Sequence, residues 1–171
     1  MTPPLFGIVG WKNSGKTTLM AKLIANFAAR GLQVGAVKHA HNGFDIDQEG
    51  RDSFRYRQAG AGTVAISSAK RFAIMTELRG APEPALLELV RRMASADLIL
   101  VEGFRRESHP KLEVRRNALQ LTPLAPEDPS ILAIAADFEV EGGGLPVFDL
   151  DSAEVIADFI LAAVLPHAAK A

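Results

Sequence analysis

Cysteine is absent from this 171-residue chain, which excludes disulfides, thiolate metal sites and cysteine nucleophiles. A reducing compartment is compatible with that absence. An excess of one charge is also missing: 19 Lys and Arg stand against 20 Asp and Glu, a formal net charge of -1. There is therefore no bulk basic field to draw the chain to nucleic acid or to an anionic membrane. One Trp and one Tyr supply no series of aromatic platforms for single-stranded bases. No apolar run approaches the roughly 18 residues of a membrane span, and Met1-Thr2-Pro3-Pro4 does not open a basic-then-apolar leader. The expectation is a soluble cytoplasmic protein that works without nucleic acid or membrane.

What is present is apolar residue, 48% of the chain, enough at this length for one substantial core, so a single domain over residues 1–171 is expected. Residues 5–9 form a short apolar run ending at Gly10, which reads as a buried strand. Leu19, Met20, Leu23, Ile24, Phe27 and Ala28 then recur at helical spacing until Gly31. A second strand is expected over 32–37, a short helix over 53–59, and short strands over 63–66 and 72–75. Leu86, Leu87, Leu89, Val90 and Met93 repeat with helical period behind Pro82 and Pro84, followed by apolar strands at 98–101 and 131–135. Residues 121–129, with three prolines, read as a loop and 141–144 as a turn. A closing amphipathic helix runs through Val155, Ile156, Phe159, Ile160, Ala163 and Val164, with Asp151 or Ser152 as its cap. Strands alternating with helices predict an α/β fold, a mostly parallel sheet with helices on both faces. Ligands of such sheets lie beyond the carboxyl ends of the strands.

Gly10-Trp11-Lys12-Asn13-Ser14-Gly15-Lys16-Thr17 satisfies G-x-x-x-x-G-K-[ST], the phosphate-binding loop, in its proper setting between strand and helix. Backbone N–H groups must turn inward around phosphate oxygens there, a curvature that glycine permits. Gly10, Asn13, Ser14, Gly15, Lys16, Thr17 and Thr18 are thus the expected nucleotide contacts. Lys16 carries a mobile positive charge to the β and γ phosphates, where it also serves catalysis, and the Thr17 hydroxyl is placed for Mg²⁺. No G-x-G-x-x-G follows the first strand, which removes a dinucleotide fold.

Mg²⁺ wants oxygen ligands, and carboxylates at strand ends supply them. Glu102, at the end of strand 98–101 and before Gly103, is the preferred acid, with a catalytic role beside its metal role; Asp97 starts the same strand, roughly 15 Å away at strand rise. Asp47, in the loop after the second strand, is a further candidate, with Asp45 competing. His39 and His41 lack a third His or a Cys nearby and read as loop hydrogen-bonding residues rather than a zinc site. Arg51, Arg105 and Arg106 are either phosphate partners or solvated surface charges.

Beyond the loop, Lys38-His39-Ala40-His41 with Asp47, Gly50, Arg51, Asp52 and Ser53, the Ala59-Gly60-Ala61 turn and Val101-Glu102-Gly103-Phe104 stand in one order. Together with residues 111–116 and 133–137 they resemble the MobB family of molybdopterin-guanine dinucleotide biosynthesis adaptors over most of the chain. That resemblance implies a P-loop protein that binds GTP, is at most a slow GTPase, often forms a homodimer, and helps a MobA-type guanylyltransferase join GMP to molybdopterin. Contact with molybdopterin-bearing proteins would follow. The family is similar in its P-loop core to dethiobiotin synthetase, and the metal ligands of that relative map onto Thr17, Asp47 and Glu102. The guanine-selecting Asn-Lys-x-Asp is missing, so residue chemistry alone does not choose GTP over ATP. Asp137, past strand 131–135, is either an acceptor for guanine N1 and N2 donors or a turn acid. The competing function is a phosphotransferase similar to dethiobiotin synthetase, with a small acceptor across residues 38–53.

Overall fold

An apolar strand such as β1 (Leu5–Val9) is stable only where both its faces are covered, and the computed structural model, which describes residues 2–40 and 43–165, covers both. Contacts divide the chain into two compact units, one drawn from Met1–His39 with Leu86–Ala171, the other from Ala40–Ala85. In the first, β1 lies within a six-stranded sheet with β2 (Val34–Lys38), β5 (Leu98–Glu102), β6 (Lys111–Arg115), β7 (Ile131–Ala136) and β8 (Val147–Asp149). Their order is β2-β5-β1-β6-β7-β8, and every pairing is parallel. The α/β architecture read from the sequence is the one observed.

One face carries α1 (Lys16–Ala29) and α4 (Ala153–Val164), whose Leu23, Phe27, Ile156 and Ile160 pack with Phe6, Ile8, Leu100 and Leu112 in the main core. Gly31, at φ 85°, ends α1 in the left-handed conformation that lets the Leu32 N–H reach back to the Phe27 carbonyl at 3.1 Å. Ser152 stands at the start of α4 but makes no side-chain cap, and Asp151 pairs with Lys22 at 2.7 Å instead, so the expected cap is absent. The other face holds α3 (Leu86–Arg91) over Ile99 and Val101, and beyond it, among the described residues of this unit, connecting chain.

That connecting chain explains two strands the sequence pattern did not announce. β6 reads Lys-Leu-Glu-Val-Arg, an alternation that suggests one wet face, yet Lys111 and Glu113 are each only 1% exposed. Lys111 Nζ donates to Asp128 Oδ2 at 2.9 Å and Ser130 Oγ at 2.6 Å; the Glu113 carboxylate accepts the Leu124 and Ala125 N–H groups at 2.8 and 2.9 Å and Arg115 Nη2 at 2.8 Å. Burial of these charges is tolerable because each is paired and hydrogen-bonded. β8 is three residues long, too short to carry a pattern.

Residues 103–110 cross from β5 over β1 to β6 without a helix, although parallel crossovers usually need one. The chain must then lie against the sheet. A Cβ on Gly7 would meet His109 Nε2 at 2.4 Å, so glycine is required where the crossover passes.

The second unit contains α2 (Asp52–Gln58) and an antiparallel hairpin of β3 (Thr63–Ser67) and β4 (Phe72–Thr76). Ser68 closes the hairpin, its hydroxyl accepting the Lys70 and Arg71 N–H groups at 3.3 and 3.2 Å.

His109 gives the first unit a defined acid sensitivity. Burial, reinforced by Lys111 and opposed in part by Asp128, lowers its pKa from 6.5 to about 4, and neither ring nitrogen has a hydrogen-bond partner among the described residues. A depressed folded-state pKa means the unfolded chain takes up the proton first, so this contribution to stability is intact above pH 6.5 and declines as pH falls toward 4. Urea unfolding of the parent and of His109→Gln from pH 7 to 4 checks it: the parent should lose stability relative to the variant across that window. A constant difference would contradict the assignment.

Candidate functional site

Three parallel strands deliver their carboxyl ends to one place. Ile8 of β1 stands beside Glu102 of β5, and Glu102 beside Lys38 of β2. The loop from Gly10 to Thr17 leaves β1 at that edge and turns into α1, with Gly10, Asn13 and Gly15 at φ 148°, 64° and 98°. A Cβ on Gly10 would strike the Val114 carbonyl oxygen at 2.6 Å, so the loop's first glycine is demanded by packing as well as by curvature.

Thr17 Oγ1 lies 3.0 and 3.1 Å from the two oxygens of Glu102, donating its single proton between them. Lys38 Nζ stands 3.4 Å from Glu102 Oε1. Lys16 Nζ donates to the Trp11 carbonyl at 2.6 Å, which folds the ammonium over the loop. Burial holds its pKa below the ordinary lysine value; Glu102 works against that shift and Lys38 with it. A lysine in such a place gains from an anion close by.

The structure thus brings together Lys16, Thr17 and Glu102 with the loop residues Gly10, Asn13, Ser14, Gly15 and Thr18 at the start of α1. Glu102 is fixed there because Gly103, at φ 92°, turns the chain where a side chain would meet His39 Cβ at 2.9 Å. Asp97 sits at the amino end of β5 and accepts the Gln33 N–H at 2.8 Å, away from the loop as strand direction requires. Asp47 belongs to the second unit, where Arg57 holds it through Nε at 3.0 Å and Nη2 at 2.6 Å. The same guanidinium reaches Asp45 at 2.8 Å and Glu77 at 2.9 Å, and these acids raise its pKa, with Asp47 contributing most. His39 stacks on Phe104 with ring centroids 4.7 Å apart, while His41 lies outside the described residues.

Asp137 Oδ1 accepts the Asn117 N–H at 2.7 Å, and Oδ2 lies 3.8 Å from Arg116 Nε. It braces the chain that follows β6. Arg105 sits 5.2 Å from the Trp11 ring, whose Nε1 donates to the Thr122 carbonyl at 2.8 Å. Arg57, Glu77 and the Arg116 guanidinium near Gly15 escaped sequence reasoning, since no spacing rule links such distant polar residues.

The donor set at the loop is a hydroxyl and a carboxylate, and no cluster of three or more His, Cys, Asp or Glu among the described residues is arranged for a metal. Two protein oxygens suit Mg²⁺, which keeps waters and phosphate oxygens as its remaining ligands, and do not suit zinc or a protein-caged calcium. No helix is long and apolar enough to cross a membrane among the described residues.

Comparison with known proteins identifies the family. The family model described as Molybdopterin guanine dinucleotide synthesis protein B, MobB, matches residues 5–137. Molybdopterin-guanine dinucleotide biosynthesis adapter proteins of Haemophilus influenzae and Escherichia coli are 39% and 37% identical over 160 and 161 residues, covering 92% of this chain and 87% and 91% of their own. The crystal structure of Bacillus subtilis MobB superposes with a TM-score of 0.75 at 27% identity over 94% of this chain and 98% of that one. A MobB homologue from Bacillus stearothermophilus gives 0.70 at 27% identity over 95% and 99%. With the family match spanning the loop, Glu102 and the sheet that joins them, the chain belongs to the MobB family and takes part in the biosynthesis of molybdopterin guanine dinucleotide.

Proposed function

We propose that the first unit binds GTP with Mg²⁺ and that the protein is an adaptor, at most a weak GTPase, assisting a MobA-type guanylyltransferase as it joins GMP to molybdopterin. The observation that carries this reading is the Thr17 hydroxyl held by Glu102 beside Lys16 at the mouth of the loop. Inward N–H groups and the amino end of α1 receive phosphate oxygens, and Lys16 exchanges the Trp11 carbonyl for the β and γ phosphates. Thr17 and Glu102 are the proposed metal ligands; bound there, Mg²⁺ would neutralise charge on the phosphates. Lys38 balances Glu102 and limits the negative charge that an incoming polyphosphate meets. Asp137 is proposed at the base end of the same nucleotide.

A homodimer is part of the proposal, and the hairpin supplies a surface for it. Among the described residues β3 and β4 pair only with each other, and Phe72 and Ile74 are 75% and 62% exposed, with Ile66 also in the open. An unpaired edge beside bare apolar side chains invites a second copy.

Three measurements test these assignments. Lys16→Ala should weaken GTP binding by calorimetry at least ~10-fold, or about 1.4 kcal/mol, because a methyl group cannot replace a charge facing phosphates. A folded variant within ~2-fold of the parent would refute the phosphate assignment. Glu102→Gln should shift the Mg²⁺ titration of GTP binding to higher metal while leaving metal-free affinity nearly unchanged; identical titrations would move the metal elsewhere. Phe72→Asp should convert a dimer to a monomer in sedimentation, and an unaltered dimer would exclude the hairpin as its interface. Phosphate transfer to a small acceptor, in turnover assays, would instead favour the phosphotransferase.

A further inference from the structure

We infer that Arg105 is a second phosphate-binding cation: seated on the Trp11 ring, it reaches the terminal phosphate of a bound triphosphate and so separates triphosphate from diphosphate. The inference rests on the P-loop reading and assigns a residue that reading leaves out.

The chain after β5 is built to hold Arg105 against the loop. Both ends of the crossover are tied to β1, through the Gly103 N–H to the Ile8 carbonyl at 3.3 Å and the Gly7 N–H to the Pro110 carbonyl at 2.8 Å. Gly103 and Phe104 lie in succession in the left-handed region, at φ 92° and 49°. That conformation is strained for a phenylalanine and persists only where the surroundings impose it. Here the Phe104 ring stacks on His39 and packs against the cluster of Ile99 and Val101. The Glu107 N–H then closes a turn on the Phe104 carbonyl at 3.1 Å, with Arg105 and Arg106 at its corners. Of these two, Arg105 is the one seated on the loop, its guanidinium carbon 5.2 Å from the Trp11 ring centroid.

Trp11 marks the terminal-phosphate side of the loop. Its carbonyl holds Lys16 Nζ at 2.6 Å, and the lysine of this motif serves the β and γ phosphates. Two cations therefore share one residue, Lys16 on its carbonyl and Arg105 on its ring. The ring is 38% exposed, and a solvated ring holds a cation weakly, whereas a guanidinium pairs with phosphate through two charge-assisted hydrogen bonds. Among the described residues no carboxylate pairs with Arg105, so nothing competes with a phosphate for its charge. The other cations nearby are placed differently. Lys38 faces Glu102, and Arg116 stands against Gly15 and faces Asp137 at 3.8 Å. Lys12 is exposed in the loop, with no hydrogen bond or ion pair holding it over the site among the described residues. The γ-phosphate, with charge spread over three oxygens, is the group that a second cation beside Lys16 serves best.

Calorimetry on the full chain with Mg²⁺ compares the β,γ-imido analogue of GTP, which resists hydrolysis, with GDP. Trp11 is the chain's single tryptophan, so its emission reports in parallel on the seat of Arg105. The parent should bind the triphosphate at least ~10-fold tighter than GDP, with a larger change in emission. Arg105→Ala should reduce that preference at least ~5-fold, abolish the difference in emission and leave GDP affinity within ~2-fold. Arg105→Lys, which keeps the charge but not the fork, should retain more of the preference than Arg105→Ala. An unchanged preference in folded Arg105→Ala, or an equal loss for both nucleotides, overturns the inference. Loss of the preference in Lys12→Ala alone overturns it as well, by giving the terminal phosphate to Lys12. A parent that binds both nucleotides equally overturns it and leaves the P-loop reading standing; a parent that binds neither removes that reading and the inference with it.

Discussion

The hydrogen bond between Thr17 and Glu102 depends on one constraint, the parallel placement of β1 beside β5. Because side chains alternate along a strand, the pairing of Ile8 with Glu102 sends the carboxylate toward the α1 side of the sheet, where Thr17 opens the helix. A register shifted by one residue would turn Glu102 to the opposite face and leave the threonine without its acceptor. The phosphate loop is local in sequence; its metal-side partner is not. Eighty-five residues separate the two, and only the sheet joins them.

The same constraint explains the unusual back of the sheet. With β1 between β5 and β6, the chain must cross β1, and it does so in residues 103–110, too few for a covering helix. His109 fills the space over Gly7, and the longer connection after β6 folds down to neutralise Lys111 and Glu113. Stripping one partner from a buried pair of this kind typically costs about 3–5 kcal/mol. Hydrogen bonds to the buried carboxylate therefore do more than satisfy Glu113. They hold Leu124 and Ala125, and so fix one end of the segment that, with Trp11 and Ser14, lines a cavity beside the loop.

Legibility in the sequence followed the range of the interaction. β1, the loop and α1 were readable because an apolar run, a spaced motif and a helical period adjoin within thirty residues or so. β5 was readable from its unbroken apolar run, and Glu102 from its place at the end. β6 was marked only by family resemblance, since its buried charges imitate a solvated face until Asp128, Ser130 and the 124–125 amides are seen against them. Ser152 had the right chemistry for a cap and the right position, but its side chain makes no such bond. The cavity could not be read, because its walls are irregular chain whose residues share no period.

Asp47 shows how an acid singled out by its position can be chemically engaged by a neighbour. Three carboxylates in one small unit would repel, and Arg57 resolves this with a planar cation that binds Asp47 at two points and spreads to Asp45 and Glu77. Any divalent cation that took Asp47 as a ligand would have to displace that guanidinium, since Arg57 already occupies both carboxylate oxygens. A divalent charge can win such a contest electrostatically, but the displaced Arg57 would still face Asp45 and Glu77 and would not be left uncompensated. Thr17 and Glu102 face no comparable rival, because Lys38 approaches a single oxygen at 3.4 Å from a largely exposed position. Within its own unit, then, the Asp47 carboxylate is committed to Arg57 at both oxygens, whereas the Glu102 carboxylate beside Thr17 has its cationic neighbour held off at 3.4 Å.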